Sequence, residues 1–219
     1  MRKFLLACLA AAACTGAHAE LVVNGSFENG TAPGSFTTLG TGSTAIDGWR
    51  IGKGSIDYIG GYWVAADGSR SIDLAGNDNP TSLYQDLATA AGSTYTVSFF
   101  MSGNKDGEPL PVKPLTVSVY DATLGGLPLI ESNAFSFDTT GITNQNMRWT
   151  QYGFEFVAAS ALTRLSFEFD ADPAGPGGTC CFGPALDQVS VVPAPGTLLL
   201  LGAGLATIGA AGGRRRAKA

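Results

Sequence analysis

Aromatic residues on either side of a glycine pair form the clearest candidate for ligand binding in this sequence. The stretch reads Tyr58-Ile59-Gly60-Gly61-Tyr62-Trp63, and Asp57, Asn77 and Asp78 lie near it in the chain. Aromatic rings offer large apolar faces on which sugars stack, and carboxylate or amide groups accept hydrogen bonds from sugar hydroxyls. The candidate carbohydrate-binding residues are therefore Tyr58, Tyr62, Trp63, Asn77 and Asp78.

The same rings also suit the interior of a folded domain. On that interpretation Tyr58 and Trp63 are core residues, and Tyr62 only covers them. Trp49 and Trp63 fit a core better than a binding surface. Tyr62 is then the best surface candidate.

Catalytic chemistry is poorly represented. The single histidine, His18, lies in an N-terminal segment that we expect to be removed, which excludes Ser-His-Asp catalysis from the mature chain. A glycosidase needs only two carboxylates, but no motif marks such a pair. The glycine-rich run at 175–178 lacks the lysine of a phosphate-binding loop. We predict no catalytic residues and no enzyme activity.

The first 19 residues predict a secretory signal peptide. Two basic residues precede an apolar run, and Ala17-His18-Ala19 supplies the small residues of a cleavage site before Glu20. Export brings the chain into an oxidising compartment. The adjacent Cys180 and Cys181 then have the option of a strained disulfide or of an intermolecular bridge.

The chain between the two terminal segments is acidic. Of 13 basic residues, two lie in the signal and four follow Gly213, so seven remain against 18 acidic residues, a formal charge of −11. This charge argues against nucleic acid or anionic lipid as a partner, and it suits a solvated extracellular surface or divalent cations. Residues 20–192 are enough for one domain with a proper core.

The C-terminal segment at 193–219 predicts a sorting or anchoring signal. Pro193-Ala194-Pro195 precedes an apolar stretch at 196–213, which at about 1.5 Å per residue reaches about 27 Å, near the lower limit for a transmembrane helix. Arg214, Arg215 and Arg216 follow and would stay on the cytoplasmic side.

This arrangement resembles the PEP-CTERM sorting signal of Gram-negative bacteria, with Ala194 in place of the usual glutamate. The resemblance implies a helix in the inner membrane and processing by an exosortase. It also implies a final location at the cell surface or in the extracellular or biofilm matrix.

The segment from Leu21 to Val192 predicts an all-β domain. Short runs rich in Val, Ile, Phe, Tyr and Thr alternate with clusters of Gly, Asn, Asp and Pro, and apolar residues alternate with polar ones at 94–101. We expect a two-sheet jelly-roll sandwich. The predicted strands are Leu21–Glu28, Gly48–Ile51, Ile56–Ile59, Ser69–Leu74, Ser82–Leu87, Thr94–Met101, Leu115–Tyr120, Ala134–Phe137, Trp149–Val157, Leu162–Phe169 and Ala185–Val191.

Four segments carry a family resemblance. They are Asn24-Gly25-Ser26-Phe27-Glu28, the run from Asp67 to Leu74, Trp149 before a Phe-x-Phe strand, and the run from Gly183 to Val189. Together they resemble the choice-of-anchor C family, which is related to the domain of unknown function 642. The resemblance implies a galactose-binding-like jelly roll without enzymatic activity.

The opening and closing segments are also similar to those of calcium-bearing carbohydrate-binding modules. That similarity implies a structural Ca²⁺ held by the carbonyls of Ser26 and Arg70 and by the carboxylates of Glu28, Asp67 and Asp187. All five are the oxygen ligands that calcium prefers. The alternative is that Glu28 and Asp67 are ordinary turn residues and that Asp187 caps a strand end.

The leading hypothesis is a non-catalytic surface or matrix module that binds exopolysaccharide or other glycans. A second hypothesis is a structural envelope or biofilm-matrix protein with protein partners. A polysaccharide-acting enzyme is the third, and it would require two carboxylates in one cleft.

Overall fold

The chain folds into β-strands joined by turns and loops. The computed structural model describes residues 19–106, 111–170 and 181–194, and within these ranges it contains eleven strands and no helix. The strands are β1 (Phe36–Gly40), β2 (Arg50–Lys53), β3 (Ser55–Ile59), β4 (Ser71–Asp73), β5 (Thr81–Ala88), β6 (Thr94–Gly103), β7 (Val112–Asp121), β8 (Leu129–Asp138), β9 (Thr150–Val157), β10 (Leu162–Phe169) and β11 (Pro184–Pro193).

The strands form two antiparallel sheets that pack face to face. One sheet has six strands in the order β1-β3-β4-β11-β6-β9, and the other has five in the order β2-β5-β10-β7-β8. Every strand pair in both sheets is antiparallel. The predicted all-β sandwich is confirmed.

The core lies between the two sheets. In β6, Tyr95, Val97, Phe99 and Met101 are buried while the residues between them are partly exposed, as the alternation predicts. Phe99 meets Phe167 of the other sheet edge to face, with ring centroids 5.4 Å apart. Since both rings are fully buried, truncating either to alanine would cost about 3–5 kcal/mol of stability.

The predicted first strand, Leu21–Glu28, is wrong. This segment is a series of bends, because Asn24 and Phe27 adopt left-handed backbone angles with φ of 58° and 60°. It is held by Gln85, whose side-chain amide accepts from the Val23 amide at 2.7 Å and donates to the Val23 carbonyl at 2.9 Å. The ten other predicted strands each overlap an observed strand.

Strand β1 is absent from the sequence prediction. It lies at an edge of the six-stranded sheet, and its five residues are exposed or only half-buried. An edge strand without a buried face leaves no clear alternation in the sequence. The strand is defined instead by its pairing with β3, from Phe36 opposite Ile59 to Gly40 opposite Ser55.

Loops cover much of the outer face of the six-stranded sheet. Ser71 and Ser102 lie on this face, yet both are fully buried, because the loop that carries Trp63 and the loop that carries Met147 fold over them. The Trp63 indole donates to the Ser71 hydroxyl at 2.8 Å, and the Ser102 hydroxyl donates to the Met147 carbonyl. The uncovered part of this face, near β1 and β3, is where a cavity forms.

The described residues contain no helix of the length and apolar character needed to cross a membrane. The predicted signal peptide at 1–19 and the predicted membrane stretch at 196–213 lie outside the described ranges, apart from Ala19. Both stay predictions.

Candidate functional site

A cavity of about 170 Å³ opens on the outer face of the six-stranded sheet, and we call it the β1–β3 pocket. Its side walls follow from strand register, since Phe36 lies opposite Ile59 and Thr38 lies opposite Asp57 on the face that points away from the core. The residues that line it are Phe36, Thr38, Asp57, Ile59, Tyr62, Asn77, Asn104, Cys181 and Phe182.

Two aromatic rings form one wall of the pocket. Phe36 is 48% exposed, and its ring meets that of Tyr62 edge to face at a centroid distance of 5.5 Å. The turn that carries Tyr62 packs tightly on the start of β1, because a Cβ on Gly60 would lie 2.2 Å from the Gly34 carbonyl oxygen. Only glycine fits at position 60, which explains the first glycine of the Gly-Gly pair.

Hydrogen bonds hold both the side chain and the backbone of Tyr62. Its hydroxyl donates to the Asp106 carboxylate, and its backbone carbonyl accepts from the Asn144 amide at 3.2 Å. The bond to Asp106 raises the pKa of Tyr62, and the hydrogen bond from Lys105, followed by that from Tyr62, lowers the pKa of Asp106. Tyr62 therefore presents its ring, and not a free hydroxyl, to the pocket.

Among the described residues that line the pocket, Asp57 is the one with a carboxylate. Its Oδ1 accepts from the Thr38 hydroxyl at 2.5 Å. Burial raises the pKa of Asp57, and the Thr38 bond acts in the opposite direction. No protein donor to Oδ2 is found within the described ranges, so that oxygen can accept from a ligand.

The floor of the pocket is a buried hydrogen-bond network centred on Asp73. Its Oδ1 accepts from the backbone amides of Ala75 at 3.0 Å and Gly183 at 2.9 Å, and its Oδ2 accepts from the Asn104 side chain at 2.8 Å. Asp73 is fully buried, and burial raises its pKa to about 7 although the three N–H donors oppose this shift. The network joins the β4–β5 loop, the end of β6 and the start of β11.

A second buried side chain, that of Ser55, fixes the loop that carries the pocket residue Asn77. The Ser55 hydroxyl accepts from the backbone amides of Asn77 at 2.8 Å and Asp78 at 2.9 Å, which fixes the β4–β5 loop. This leaves the Asn77 side chain exposed at the pocket and Asp78 exposed outside its lining.

The structure places only some of the predicted sugar-binding residues at the pocket. Tyr62 and Asn77 do line the pocket. Tyr58 and Trp63 are buried, with exposures of 1% and 4%, so the prediction that their rings stack on a sugar there is corrected: they belong to the core cluster, as the alternative interpretation held. The Tyr58 hydroxyl instead donates to the Phe27 carbonyl at 2.5 Å.

Sequence reasoning missed several pocket residues. Phe36 belongs to the overlooked strand β1, while Asn104 and Phe182 are far from the aromatic stretch in the chain. Asp73 carried one signal, since in Ser71-Ile72-Asp73-Leu74 it alternates with apolar residues and so faces away from the core. Only the folded structure brings these segments together.

The predicted calcium ligands do not assemble into a metal site in this arrangement. Glu28 Oε1 accepts from the backbone amides of Ser69 at 2.8 Å and Arg70 at 2.6 Å, and its Oε2 accepts from the Ser69 hydroxyl at 2.9 Å. Asp187 accepts from the amides of Ala66, Asp67 and Gln188 at 2.7 to 3.0 Å.

Across the described residues, no group of three acidic, histidine or cysteine side chains is close enough to hold a metal. Hydrogen-bond donors surround Glu28 and Asp187, where calcium would need further oxygen atoms. Burial raises the pKa of Asp187 to about 7, with its backbone hydrogen bonds acting in the opposite direction. The set of Ser26, Glu28, Asp67, Arg70 and Asp187 therefore does not fit calcium as it stands, and we derive no function from it.

The start of the predicted sorting motif belongs to the folded sheet. Pro193 lies opposite Tyr95 in the pairing of β11 with β6, and the Ala194 amide donates to the Thr94 carbonyl at 2.9 Å. Pro195 and Arg214 to Arg216 lie outside the described residues, as does Cys180, so the sorting signal and the vicinal disulfide stay predictions.

Two solved structures of carbohydrate-binding modules are similar to this chain. One is TmCBM61 in complex with β-1,4-galactotriose, at 15% identity and a TM-score of 0.48 over 80% of this chain and 99% of the other. Another is CBM35 from Paenibacillus barcinonensis, at 16% identity and a TM-score of 0.42 over 71% of this chain and 98% of the other.

Sequence comparison identifies the family. The chain is 32% identical over 178 residues to halomucin of Haloquadratum walsbyi, a match that covers 79% of this chain and 2% of halomucin. Residues 20–192 match the protein family of unknown function DUF642. Because that match extends over most of the sequence, the chain belongs to the DUF642 family.

Proposed function

We propose that this chain is a non-catalytic glycan-binding module and that the β1–β3 pocket is its binding site. The observation that carries the proposal is the exposed Phe36 ring at the rim of a concave pocket that also contains Asp57 and Asn77. An apolar ring beside a few polar groups is the usual composition of a sugar site.

The aromatic wall accounts for the apolar part of recognition. The edge-to-face contact with Tyr62 orients the Phe36 ring and leaves nearly half of its residue surface exposed. A sugar ring has one face of C–H groups, which loses little by leaving water when it lies against an aromatic face. Because the Phe36 orientation is already fixed, little side-chain entropy is lost on binding.

The polar groups account for hydroxyl recognition. Asp57 Oδ2 can accept one hydroxyl hydrogen bond, and the Asn77 amide group at the opposite side can donate another. Two such groups beside a ring fix the orientation of a sugar as well as its position. A volume of about 170 Å³ is below the roughly 300–1,000 Å³ of sites for drug-sized ligands, so we expect one sugar ring inside the pocket.

The geometry favours binding over hydrolysis. A glycosidase places two carboxyl groups about 5 to 9.5 Å apart on either side of the scissile bond. Among the described lining residues, Asp57 is alone, and Asp73 lies buried beneath the floor with each of its oxygens already bonded.

We further propose the cellular setting that the terminal segments predict. A signal peptide at 1–19 and a PEP-CTERM-type tail at 193–219 would deliver the domain to the cell surface or matrix through exosortase processing. Exopolysaccharide is then the glycan that the domain would meet first. Mass spectrometry of the protein exported by an exosortase-containing host tests this setting, and an uncut tail would contradict it.

Affinity electrophoresis of the purified protein in gels that contain neutral polysaccharides tests glycan binding. We expect retardation in at least one neutral polysaccharide, and we expect Phe36→Ala to weaken it about tenfold, equivalent to about 1.4 kcal/mol. Leu124→Ala is the matched control, because Leu124 is 57% exposed but lies in the β7–β8 turn, away from the pocket residues. Absence of retardation across a broad panel would contradict glycan binding, and equal effects of the two variants would exclude this pocket.

A further inference from the structure

A second, larger cavity lies on the other side of the Gly60–Tyr62 turn, and we call it the Arg70 groove. Its volume is about 580 Å³. The two cavities share the same ridge, because Pro33, Gly34, Gly60 and Gly61 border the groove while Phe36, Ile59 and Tyr62 border the β1–β3 pocket. The full lining is Ala32, Pro33, Gly34, Gly60, Gly61, Trp63, Val64, Ala65, Gly68, Ser69, Arg70 and Gln145.

Backbone atoms form much of the groove wall. Four of its lining residues are glycines, and an added Cβ at Gly34 or Gly61 would meet no atom within 4 Å. The Gly61 amide donates to the Gly34 carbonyl at 3.0 Å, and neither residue has a side chain that would keep a ligand away from this backbone. Gly61 adopts a backbone conformation that other residues also adopt, so a larger side chain at this groove-lining position would occupy open space and leave the fold unstrained.

Arg70 is the one charged side chain among the described groove residues. Its Nη1 donates to the Tyr58 hydroxyl at 2.8 Å and to the Gly30 carbonyl at 3.2 Å. The guanidinium carbon lies 5.6 Å from the centre of the Tyr58 ring. These contacts fix the guanidinium before any ligand arrives, so little entropy is lost when it forms further bonds.

The remaining donors of Arg70 have no protein partner among the described residues. The hydrogen bonds of this side chain involve Nη1 alone, and no described carboxylate lies within 4 Å of its nitrogens. This contrasts with Arg164, which binds Asp86 through Nε at 2.7 Å and Nη2 at 2.9 Å. In a domain with more than twice as many acidic as basic residues, Arg70 is held by neutral oxygens and leaves its paired donors available.

The available donors match a carboxylate. Nε and Nη2 of a guanidinium present two parallel N–H groups, and a carboxylate accepts both at once. Glu28 does not fill this role, because its oxygens accept from the Ser69 and Arg70 backbone amides and from the Ser69 hydroxyl. The negative charge of Glu28 lowers the affinity of the groove for an anion. Added salt screens this repulsion as well as the attraction between Arg70 and a bound carboxylate.

We propose that the Arg70 groove binds the carboxylate of an acidic sugar residue, such as a uronate, in a polysaccharide chain. The proposal rests on the proposed glycan-binding function, since it assigns a second subsite to the same ligand class. Two features favour a sugar over an acidic peptide. The exposed Gln145 amide lines the groove and has no hydrogen bond to the described residues, so it is available for hydroxyls, and the aromatic wall of the β1–β3 pocket lies directly across the turn.

Affinity electrophoresis in polygalacturonate and in the same polymer after carboxyl reduction tests the proposal. We expect stronger retardation in the acidic polymer, with the difference declining as salt is added. Arg70→Gln and Gly61→Leu should each weaken retardation in the acidic polymer about tenfold or more. Gly125→Leu is the matched control, since Gly125 is equally unobstructed but lies in the β7–β8 turn.

Each outcome has a defined meaning. If Gly61→Leu and Gly125→Leu bind the acidic polymer equally, the groove assignment is wrong, even if Arg70→Gln fails to fold. Equal retardation in polyglutamate would overturn the assignment to a sugar. Neutral glycan binding that depends on Phe36, without any preference for the acidic polymer, would leave the proposed function intact and overturn this inference alone.

Discussion

Replacing Asp73 with asparagine should remove one pH-dependent contribution to the stability of this domain. In the folded protein, burial raises the pKa of Asp73 from its ordinary value of 3.8 to about 7, with a smaller contribution in the same direction from Asp57. A raised carboxyl pKa means that the folded state binds the proton more tightly than the unfolded state. The resulting stability is fully present below about pH 4 and is lost as the pH rises towards 7.

The magnitude follows from the size of the pKa shift. One pKa unit corresponds to about 1.4 kcal/mol, so a shift of about three units predicts a loss of roughly 4 kcal/mol between the two limits. In the variant this loss is absent. A constant penalty replaces it, because one amide N–H at position 73 must face a donor from Ala75, Gly183 or Asn104, at a cost of about 1–3 kcal/mol.

Urea unfolding of both proteins across this pH range measures the effect. The stability of the wild type relative to Asp73→Asn should fall as the pH rises. Asp138→Asn is an opposite-sign control, because hydrogen bonds from Thr140 lower the pKa of the exposed Asp138 carboxylate. The stabilisation from these bonds is lost as the pH falls, so the stability of the wild type relative to Asp138→Asn should rise with pH. A difference between wild type and Asp73→Asn that stays constant with pH would refute the reasoning.

Three further predictions concern the segments around the pocket and the groove. Gly183→Ala should lower stability and weaken glycan binding, since the new Cβ would lie 2.8 Å from the Ala75 Cβ and 2.9 Å from Asp73 Oδ1. Thermal melts measure the stability and affinity electrophoresis measures the binding. An unchanged melting temperature would contradict this prediction. Gln85→Leu should loosen the backbone at Val23 by removing two hydrogen bonds, at a cost of about 1–3 kcal/mol, and limited proteolysis should then cut there first. With Glu28 and Asp187 bonded to N–H groups, a chelator should leave the melting temperature unchanged; a decrease that Ca²⁺ reverses and Mg²⁺ does not would restore the predicted calcium site.

Most of the fold follows from the sequence because buried strands carry a periodic signal. Residues such as Val97 and Phe99 must leave water on one face of a sheet, so the alternation predicts both the strand and its core face. Edge and irregular segments lack that constraint. Strand β1 therefore has no periodic signal, and the sequence predicts a strand at Leu21–Glu28 where Asn24 and Phe27 in fact bend the backbone.

The candidate site shows the same contrast between local features and features that depend on tertiary contacts. The sequence by itself determined the Gly-Gly turn and the position of Tyr62 within it, because these features are local. Only the tertiary structure decided that Tyr58 and Trp63 are buried and that Phe36 and Asn77 face one cavity. Burial and convergence depend on which strands become neighbours, and in an antiparallel sandwich those neighbours lie far apart in the chain.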